Sequence, residues 1–142
     1  MEKELVLKTS VSIDASIAKV WDALINPEQI KKYFFGTEAI SDWKVGSTLL
    51  FKGVWEGKEY EDKGYILEFE KERKLKYNYW SSFAGTEDLP ENYANITYEL
   101  SEQSTKTVFT LTQDGFKTKE QYEHSEQNWQ ALFNSLKALL EE

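Results

Sequence analysis

The sequence predicts an α+β fold in which a curved antiparallel β-sheet of about six to seven strands wraps around a long C-terminal helix. Two short helices are expected after the first strand. Residues 118–142 follow helical periodicity with apolar side chains on one face, whereas most segments before them alternate as strands do. An apolar helix face must be buried, and only a sheet is available upstream, so we expect the helix to lie along that sheet.

The composition is typical of a globular protein that uses no disulfide bonds. The chain has 142 residues, of which 40% are hydrophobic and none is cysteine, and we expect one domain spanning residues 1–142. Asp and Glu number 25 against 17 Lys and Arg, and the resulting net charge of −8 opposes nucleic acid and anionic membrane as partners. No apolar run reaches the roughly 18 residues of a membrane helix. The N-terminus lacks the apolar core of a signal peptide, which favours a cytoplasmic protein.

The first elements are a strand and two short helices. Residues 5–13 alternate between apolar and polar side chains, which predicts a strand with one buried face. Asp14 or Ser16 can cap the first helix. Asn26, followed by proline, ends that helix and begins the second, because Asn caps helices and Pro suits the first helical position.

Six further strands are predicted between residues 37 and 114, separated by polar or glycine-containing turns. The connection at residues 81–92 is longer than most hairpin loops and contains a glycine, a proline and three acids. It can be a lid over a site or simply a long hairpin tip, and both interpretations stay open. The six segments are residues 37–43, 48–56, 59–70, 73–80, 92–101 and 105–114.

The C-terminal helix opens with a capping box, because Thr118 can accept the backbone N–H of Gln121. His124 lies about 140° around the helix from Trp129 and is expected to face water. The buried face is predicted to contain Tyr122, Ser125, Trp129, Leu132, Phe133, Leu136, Leu139 and Leu140.

The sequence offers little for catalysis. A zinc site made of Cys and His is excluded, since there is no cysteine and one histidine. No glycine-rich phosphate loop is present. Two pairs of glutamates each share a strand face, but such pairs are typical of the solvent side of a sheet. We predict no catalytic residue, no metal and no cofactor. The pairs are Glu59 with Glu61 and Glu68 with Glu70.

Aromatic side chains are the positive signal, since Phe, Trp and Tyr make up 15% of the chain. Many recur at the two-residue period of strands, so that each group is expected to share a face. Tyr joins an apolar ring to a hydroxyl that seeks a partner when buried, so such faces suit either a dense core or an apolar pocket with a few polar groups. The groups are Phe51 with Trp55, Tyr65 with Phe69, Tyr77 with Tyr79, and Tyr98 with Ile96 and Leu100.

Six stretches of the chain resemble the START-like, helix-grip (SRPBCC) superfamily, and within it the family related to the activator of heat-shock-protein-90 ATPase. Tyr33 stands where that family usually has Trp, and Asn128 where it usually has Gly. The stretches, in chain order, are residues 14–24 (DASIAKVWDAL), 26–34 (NPEQIKKYF), 43–46 (WKVG), 64–75 (GYILEFEKERKL), 107–116 (TVFTLTQDGF) and 128–137 (NWQALFNSLK).

The resemblance implies a cavity between the long helix and the sheet, used to bind, carry or sense a hydrophobic molecule. Our first hypothesis is therefore a pocket for an unidentified small hydrophobic or aromatic molecule, in a protein that is a monomer or a weak homodimer. A co-chaperone-like module that binds a chaperone, and an enzyme that uses Glu68 or Glu99 on a bound hydrophobic substrate, are the alternatives. The predicted ligand-binding residues are Trp55, Tyr65, Tyr77, Tyr79, Phe83, Tyr98, Tyr122, Trp129 and Phe133.

Overall fold

Seven strands and three helices make up the part of the chain that the computed structural model describes, which is residues 6–34, 36–55, 57–81, 87, 89, 93–116 and 118–141. Their number and order confirm the predicted α+β, helix-grip fold. The elements are β1 (Leu7–Ile13), α1 (Ile17–Ile25), α2 (Pro27–Tyr33), β2 (Glu38–Ser41), β3 (Thr48–Trp55), β4 (Lys58–Glu70), β5 (Lys74–Ser81), β6 (Ala94–Gln103), β7 (Lys106–Gln113) and α3 (Lys119–Leu140).

The strands form a single antiparallel sheet in the order β1-β7-β6-β5-β4-β3-β2. Strands β2 to β7 follow one another as a meander, and β1 joins at the far edge by pairing with β7. Helices α1 and α2 connect the two edge strands. Helix α3 packs on one face of the sheet, which we call the inner face.

Each helix begins where a side chain captures one of the backbone N–H groups that the first turn leaves unpaired. Ser16, Asn26 and Thr118 accept N–H groups at 3.2, 3.1 and 3.1 Å. Of the two predicted caps for α1, the structure uses Ser16. The predicted end of α1 at Asn26 is also confirmed, because its N–H donates to the carbonyl of Asp22 at 2.8 Å and its side chain caps α2.

The core lies between the inner face of the sheet, α1 and the C-terminal half of α3. Phe133 of α3 packs edge-on against Phe109 of β7, with ring centroids 5.3 Å apart. Trp21 of α1 meets Phe69 of β4 at 5.4 Å in the same manner. Burial of these large apolar surfaces is the main stabilising contribution. The residues least exposed to solvent include Leu7, Ile13, Val20, Leu49, Ile66, Leu75, Phe109, Leu111, Phe133 and Leu136.

The prediction that Tyr65 and Phe69 share a face is wrong, because the pairing of β4 with β5 shifts between Ile66 and Glu68. The irregularity adds a residue to β4, which reverses the alternation of side chains beyond it. Phe69 therefore turns inward to Trp21, whereas Tyr65 stays on the outer face with 42% of its surface exposed.

No helix in the described ranges is both long enough and apolar enough to cross a membrane.

Candidate functional site

A cavity of about 400 Å³ lies between the N-terminal half of α3 and the inner face of the sheet. This volume is in the range of pockets that hold small organic molecules. The lining combines aromatic rings with polar groups and comes from the residue after α2, five strands and α3. The lining residues are Phe34, Phe51, Tyr60, Asp62, Tyr77, Tyr79, Ile96, Gln113, His124, Ser125, Asn128, Trp129 and Leu132.

Aromatic rings form a continuous wall at one side of the cavity. Phe34, just after α2, stacks on Phe51 of β3 with centroids 5.7 Å apart and planes within 10° of parallel. Phe51 meets Tyr77 of β5 at 6.0 Å, and Tyr77 meets Tyr98 of β6 edge-on at 5.4 Å. Tyr98 in turn meets Trp129 of α3 at 6.2 Å. This wall offers a guest both ring faces and ring edges.

Trp129 is fixed at the cavity by a buried hydrogen bond. Its indole N–H donates to the side-chain carbonyl of Gln113, the last residue of β7, at 2.7 Å. A buried amide without a partner is costly, so this bond holds both the helix side chain and the strand end in place. The indole therefore lines the cavity with a defined orientation.

Two tyrosine hydroxyls meet beneath the wall. The oxygen atoms of Tyr77 and Tyr98 lie 2.8 Å apart, and either hydroxyl can donate. Burial raises the pKa of the Tyr77 phenol well above its usual value of 10.0, and neighbouring Tyr98 raises it further. Burial also raises the pKa of Tyr98, although its hydrogen bond to Tyr77 acts in the opposite direction. Both phenols stay neutral at physiological pH and serve as hydrogen-bonding groups.

Tyr60 lies at the β3–β4 side of the cavity, where a glycine makes room for its ring. Gly53 is the cross-strand neighbour of Tyr60, and a Cβ at Gly53 would stand 2.5 Å from the Tyr60 hydroxyl oxygen. The ring thus lies across the glycine, and its hydroxyl is hydrogen-bonded to Thr37, whose side chain is buried. Gly53 and Thr37 together set where this hydroxyl stands.

Asp62 places a negative charge in the lining of the cavity, and Tyr79 lies near that charge. Both line it from adjacent strands. Burial raises the pKa of Tyr79 to about 12, and the negative charge of Asp62 adds to the increase. None of the described lining residues is lysine or arginine.

The mouth of the cavity lies along the first turns of α3. His124 and Asn128 are exposed, Ser125 is partly buried, and all three line the cavity. The prediction that His124 faces water agrees with its exposure, but the prediction did not place it beside a cavity. The small Ser125 side chain leaves space where a larger apolar residue would reach the sheet.

A second void of about 10 Å³ lies deeper, between α2 and the sheet. It shares Phe34, Phe51 and Tyr77 with the large cavity and also touches Tyr98. Its volume corresponds to about one water molecule, so of these two spaces the large cavity is the one that can admit an organic ligand.

The structure brings three of the nine predicted ligand-binding residues to the large cavity, namely Tyr77, Tyr79 and Trp129. Tyr98 lies directly behind them, where it contacts Tyr77, Trp129 and the small void. Phe133 is buried further along α3, between Phe109 and Trp129. These two residues support the wall and are not part of its surface.

The other four predicted residues lie away from the lining or outside the described side chains. Tyr122 packs against Phe116 at 5.4 Å, and Tyr65 stacks on Tyr93 at 6.5 Å on the outer face. Trp55 ends β3, but its side chain is outside the described part of the structure, as is Phe83 altogether. The connection at residues 81–92, for which a lid and a long hairpin tip were both open, also falls largely outside the described residues.

The polar lining was missed because its residues look unremarkable in sequence. Asp62 and Tyr60 are placed by strand alternation alone, since exposed Glu59 and Glu61 on the outer face leave their neighbours facing inward. The alternation of Glu59 and Glu61 in the sequence could therefore have indicated that Tyr60 and Asp62 face inward. Gln113 carried no comparable signal, because its role depends on where Trp129 lies in three dimensions.

In the described ranges, no group of three or more His, Cys, Asp or Glu residues could hold a metal ion. The lining can enclose an apolar guest, donate hydrogen bonds from phenols and an amide, and present one carboxylate.

Comparisons with known proteins agree with this architecture. Residues 14–141 match the family described as Activator of Hsp90 ATPase homolog 1-like protein. No curated protein matches the chain. The solution structure of ChR145 from Cytophaga hutchinsonii is 46% identical, with 99% of this chain and 97% of that chain covered and a TM-score of 0.86.

Two more distant structures share the fold. The Aha1 dimer from Colwellia psychrerythraea is 20% identical, with 96% of each chain covered and a TM-score of 0.76. DynU16, from the dynemicin biosynthetic locus, is 15% identical, with 96% of this chain and 47% of that chain covered and a TM-score of 0.80. The family match spans nearly the whole chain, and the chain belongs to the Activator of Hsp90 ATPase homolog 1-like family.

Proposed function

We propose that this protein binds a small hydrophobic or aromatic molecule in the cavity between α3 and the sheet. The observation that carries the proposal is the cavity itself, about 400 Å³ in volume and walled by aromatic rings. The core beside it is close-packed, whereas this space opens to solvent and is large enough for a small organic molecule. Proteins of this fold commonly bind hydrophobic ligands, which supports the same conclusion.

The arrangement of the wall favours binding over simple packing. Trp129 and Tyr60 are oriented by hydrogen bonds to residues outside the ring wall, Gln113 and Thr37. Such preorganised walls bind a guest without losing much side-chain entropy. The exposed His124 and Asn128 provide an opening on the solvent side.

The test is a variant that fills the cavity. Leucine at position 125 would extend from α3 toward the sheet, so Ser125→Leu should abolish binding of a neutral aromatic probe such as 1-naphthalenemethanol. The matched control is Ser135→Leu, which makes the same change on the exposed face of the same helix. Isothermal titration calorimetry on both variants and the parent protein measures the dissociation constants.

The expected result is a dissociation constant raised at least about 100-fold in Ser125→Leu and unchanged in Ser135→Leu. Equal affinity in the two variants would overturn the proposal, provided circular dichroism shows both folded. Native mass spectrometry of the freshly purified protein, with extraction of any co-purified molecule, gives an independent measurement of occupancy.

A further inference from the structure

One of the residues that line the aromatic cavity carries a carboxylate, and the position of a charge in an apolar site affects which ligands the site can bind. The enzyme alternative named Glu68 or Glu99, whereas the acid that lines the cavity is Asp62. A single acid does not define a reaction, but it does restrict which ligands can bind.

We infer that the cavity selects ligands that carry a cationic group, such as a protonated amine, on a hydrophobic or aromatic skeleton, with Asp62 as the counter-ion. This inference rests on the proposed function and narrows its ligand class.

The position of Asp62 follows from the alternation of β4. Glu59 and Glu61 are exposed on the outer face, and the residues between and after them, Tyr60 and Asp62, line the cavity. Asp62 is only partly exposed. Its carboxylate therefore belongs to the interior of the site and not to the acidic outer surface.

Aromatic rings surround Asp62 on the same face. Phe51 is its direct cross-strand partner on β3, and Tyr60 lies next along the inner face of β4. Asp62 pairs with Ser81 on β5, which makes Tyr79 its diagonal neighbour at about 7–8 Å between Cα atoms. After burial, the charge of Asp62 is the second cause of the raised pKa of Tyr79.

This combination matches the chemistry of a cation. Ring faces carry a negative potential that attracts ammonium groups within about 6 Å, and the attraction is larger where water is excluded. A carboxylate beside such rings adds a charge-assisted hydrogen bond. Phe51, Tyr60 and Tyr79 can contact the skeleton or the charge while Asp62 neutralises it.

The same combination disfavours an anion. No lysine or arginine is found among the described lining residues. The net charge of −8 also lowers the local concentration of anions. A fatty acid or an aromatic carboxylate would meet no lysine or arginine among the described lining residues and would face Asp62.

Three probes with one skeleton separate charge from shape. They are 1-naphthylmethylamine, 1-naphthalenemethanol and 1-naphthoic acid, which at pH 7 are cationic, neutral and anionic. Calorimetry at low and at moderate salt should rank their affinities in that order, with the cation preferred over the neutral probe by about 10-fold, since one charge-assisted contact has that magnitude.

Asp62→Asn keeps the shape of the side chain and removes its charge. We expect it to abolish the preference for the cation while the affinity for the neutral probe changes less than about 2-fold. Glu59→Gln is the matched control, because it removes the same charge from the outer face of the same strand. It should leave the preference intact.

The outcomes separate this inference from the proposed function. Equal affinities for the three probes, or a cation preference that survives Asp62→Asn, overturn the inference while the pocket stands. Failure of all three probes to bind overturns both. Because the ranking is measured on the parent protein, it holds even if a variant does not fold.

Discussion

The two halves of α3 face the same sheet in different ways. The C-terminal half inserts Phe133, Leu136 and Leu140 into the core, all nearly inaccessible to solvent. The N-terminal half offers Ser125 and Asn128 to the cavity instead. One helix on one sheet thus builds a filled core at one end and a cavity at the other, and the side-chain volume on its inner face distinguishes the two ends.

Polar contacts reinforce the difference at the filled end. Lys137 donates from Nζ to the carbonyl of Ser12 at 3.2 Å, and Glu141 accepts the backbone N–H of Asp14 at 2.9 Å. These hydrogen bonds connect the C-terminal end of α3 to the end of β1 and to the turn that follows β1. The filled core and the cavity thus lie along separate halves of the helix, so substitutions that change stability and substitutions that change the proposed binding are expected at different positions.

The largest expected effect is at the filled end. Leu136→Ala should lower the free energy of unfolding by about 3 kcal/mol, because it leaves a cavity at a fully buried position that cannot collapse freely. Urea denaturation measures the loss. Leu139→Ala is the matched control on a partly buried residue and should cost clearly less. A similar cost for both variants would contradict the claim that the fully buried positions of the C-terminal half carry its contribution to stability.

An intermediate effect is expected at alkaline pH, from the phenols at the cavity. Folding raises the pKa of Tyr79 from 10.0 to about 12, so the folded protein holds this proton more tightly than the unfolded chain does. The associated stability is complete below pH 10 and is lost as the pH rises through 12. Between pH 10 and 11 the loss should be about 1 kcal/mol for Tyr79 alone.

Tyr77 and Tyr98 act in the same direction, since their pKa values are raised as well. Urea unfolding at pH 9, 10 and 11 measures the slope, and Tyr79→Phe should reduce it without removing it. Stability that stays constant over this range would show that the cavity phenols are better solvated than their burial indicates.

The smallest effect is expected where Gly53 makes room for Tyr60. Gly53→Ala places a methyl group against the Tyr60 ring and should break its hydrogen bond to Thr37, at a cost of about 1 kcal/mol. In a Thr37→Val background, where that hydrogen bond is already absent, the same change should cost less. Thermal unfolding of the four proteins gives the coupling, and strict additivity would rule out this link.

Much of the fold could be predicted because its elements carry local signals. The caps at Ser16, Asn26 and Thr118 and the apolar face from Trp129 to Leu140 are visible in the sequence and are present in the structure. The seven strands were predicted from alternation and turn residues, with ends that differ by a few residues. Local periodicity was sufficient for these features because each depends on neighbours in the chain.

The site was harder to predict because it depends on registers and volumes. One irregularity in β4 separates Tyr65 from Phe69, and no sequence pattern announced it. Tyr98 and Phe133 are aromatic like the residues of the cavity wall, but they pack behind that wall. Whether an inward-facing ring borders a void or another ring is decided by the packing of the whole interior, so sequence could suggest the wall without defining its surface.

The hydrogen bond between the hydroxyls of Tyr77 and Tyr98 can run in either direction, and its direction affects what Tyr77 can offer to a guest. Two phenols that share one hydrogen bond place only one of their two protons between the oxygen atoms. Since Tyr77 lines the cavity, a guest that accepts a hydrogen bond from it favours the arrangement in which Tyr98 donates to Tyr77. A guest that donates to Tyr77 favours the reverse. If the cavity binds a guest as proposed, the direction of this hydrogen bond depends on whether the guest accepts or donates at Tyr77.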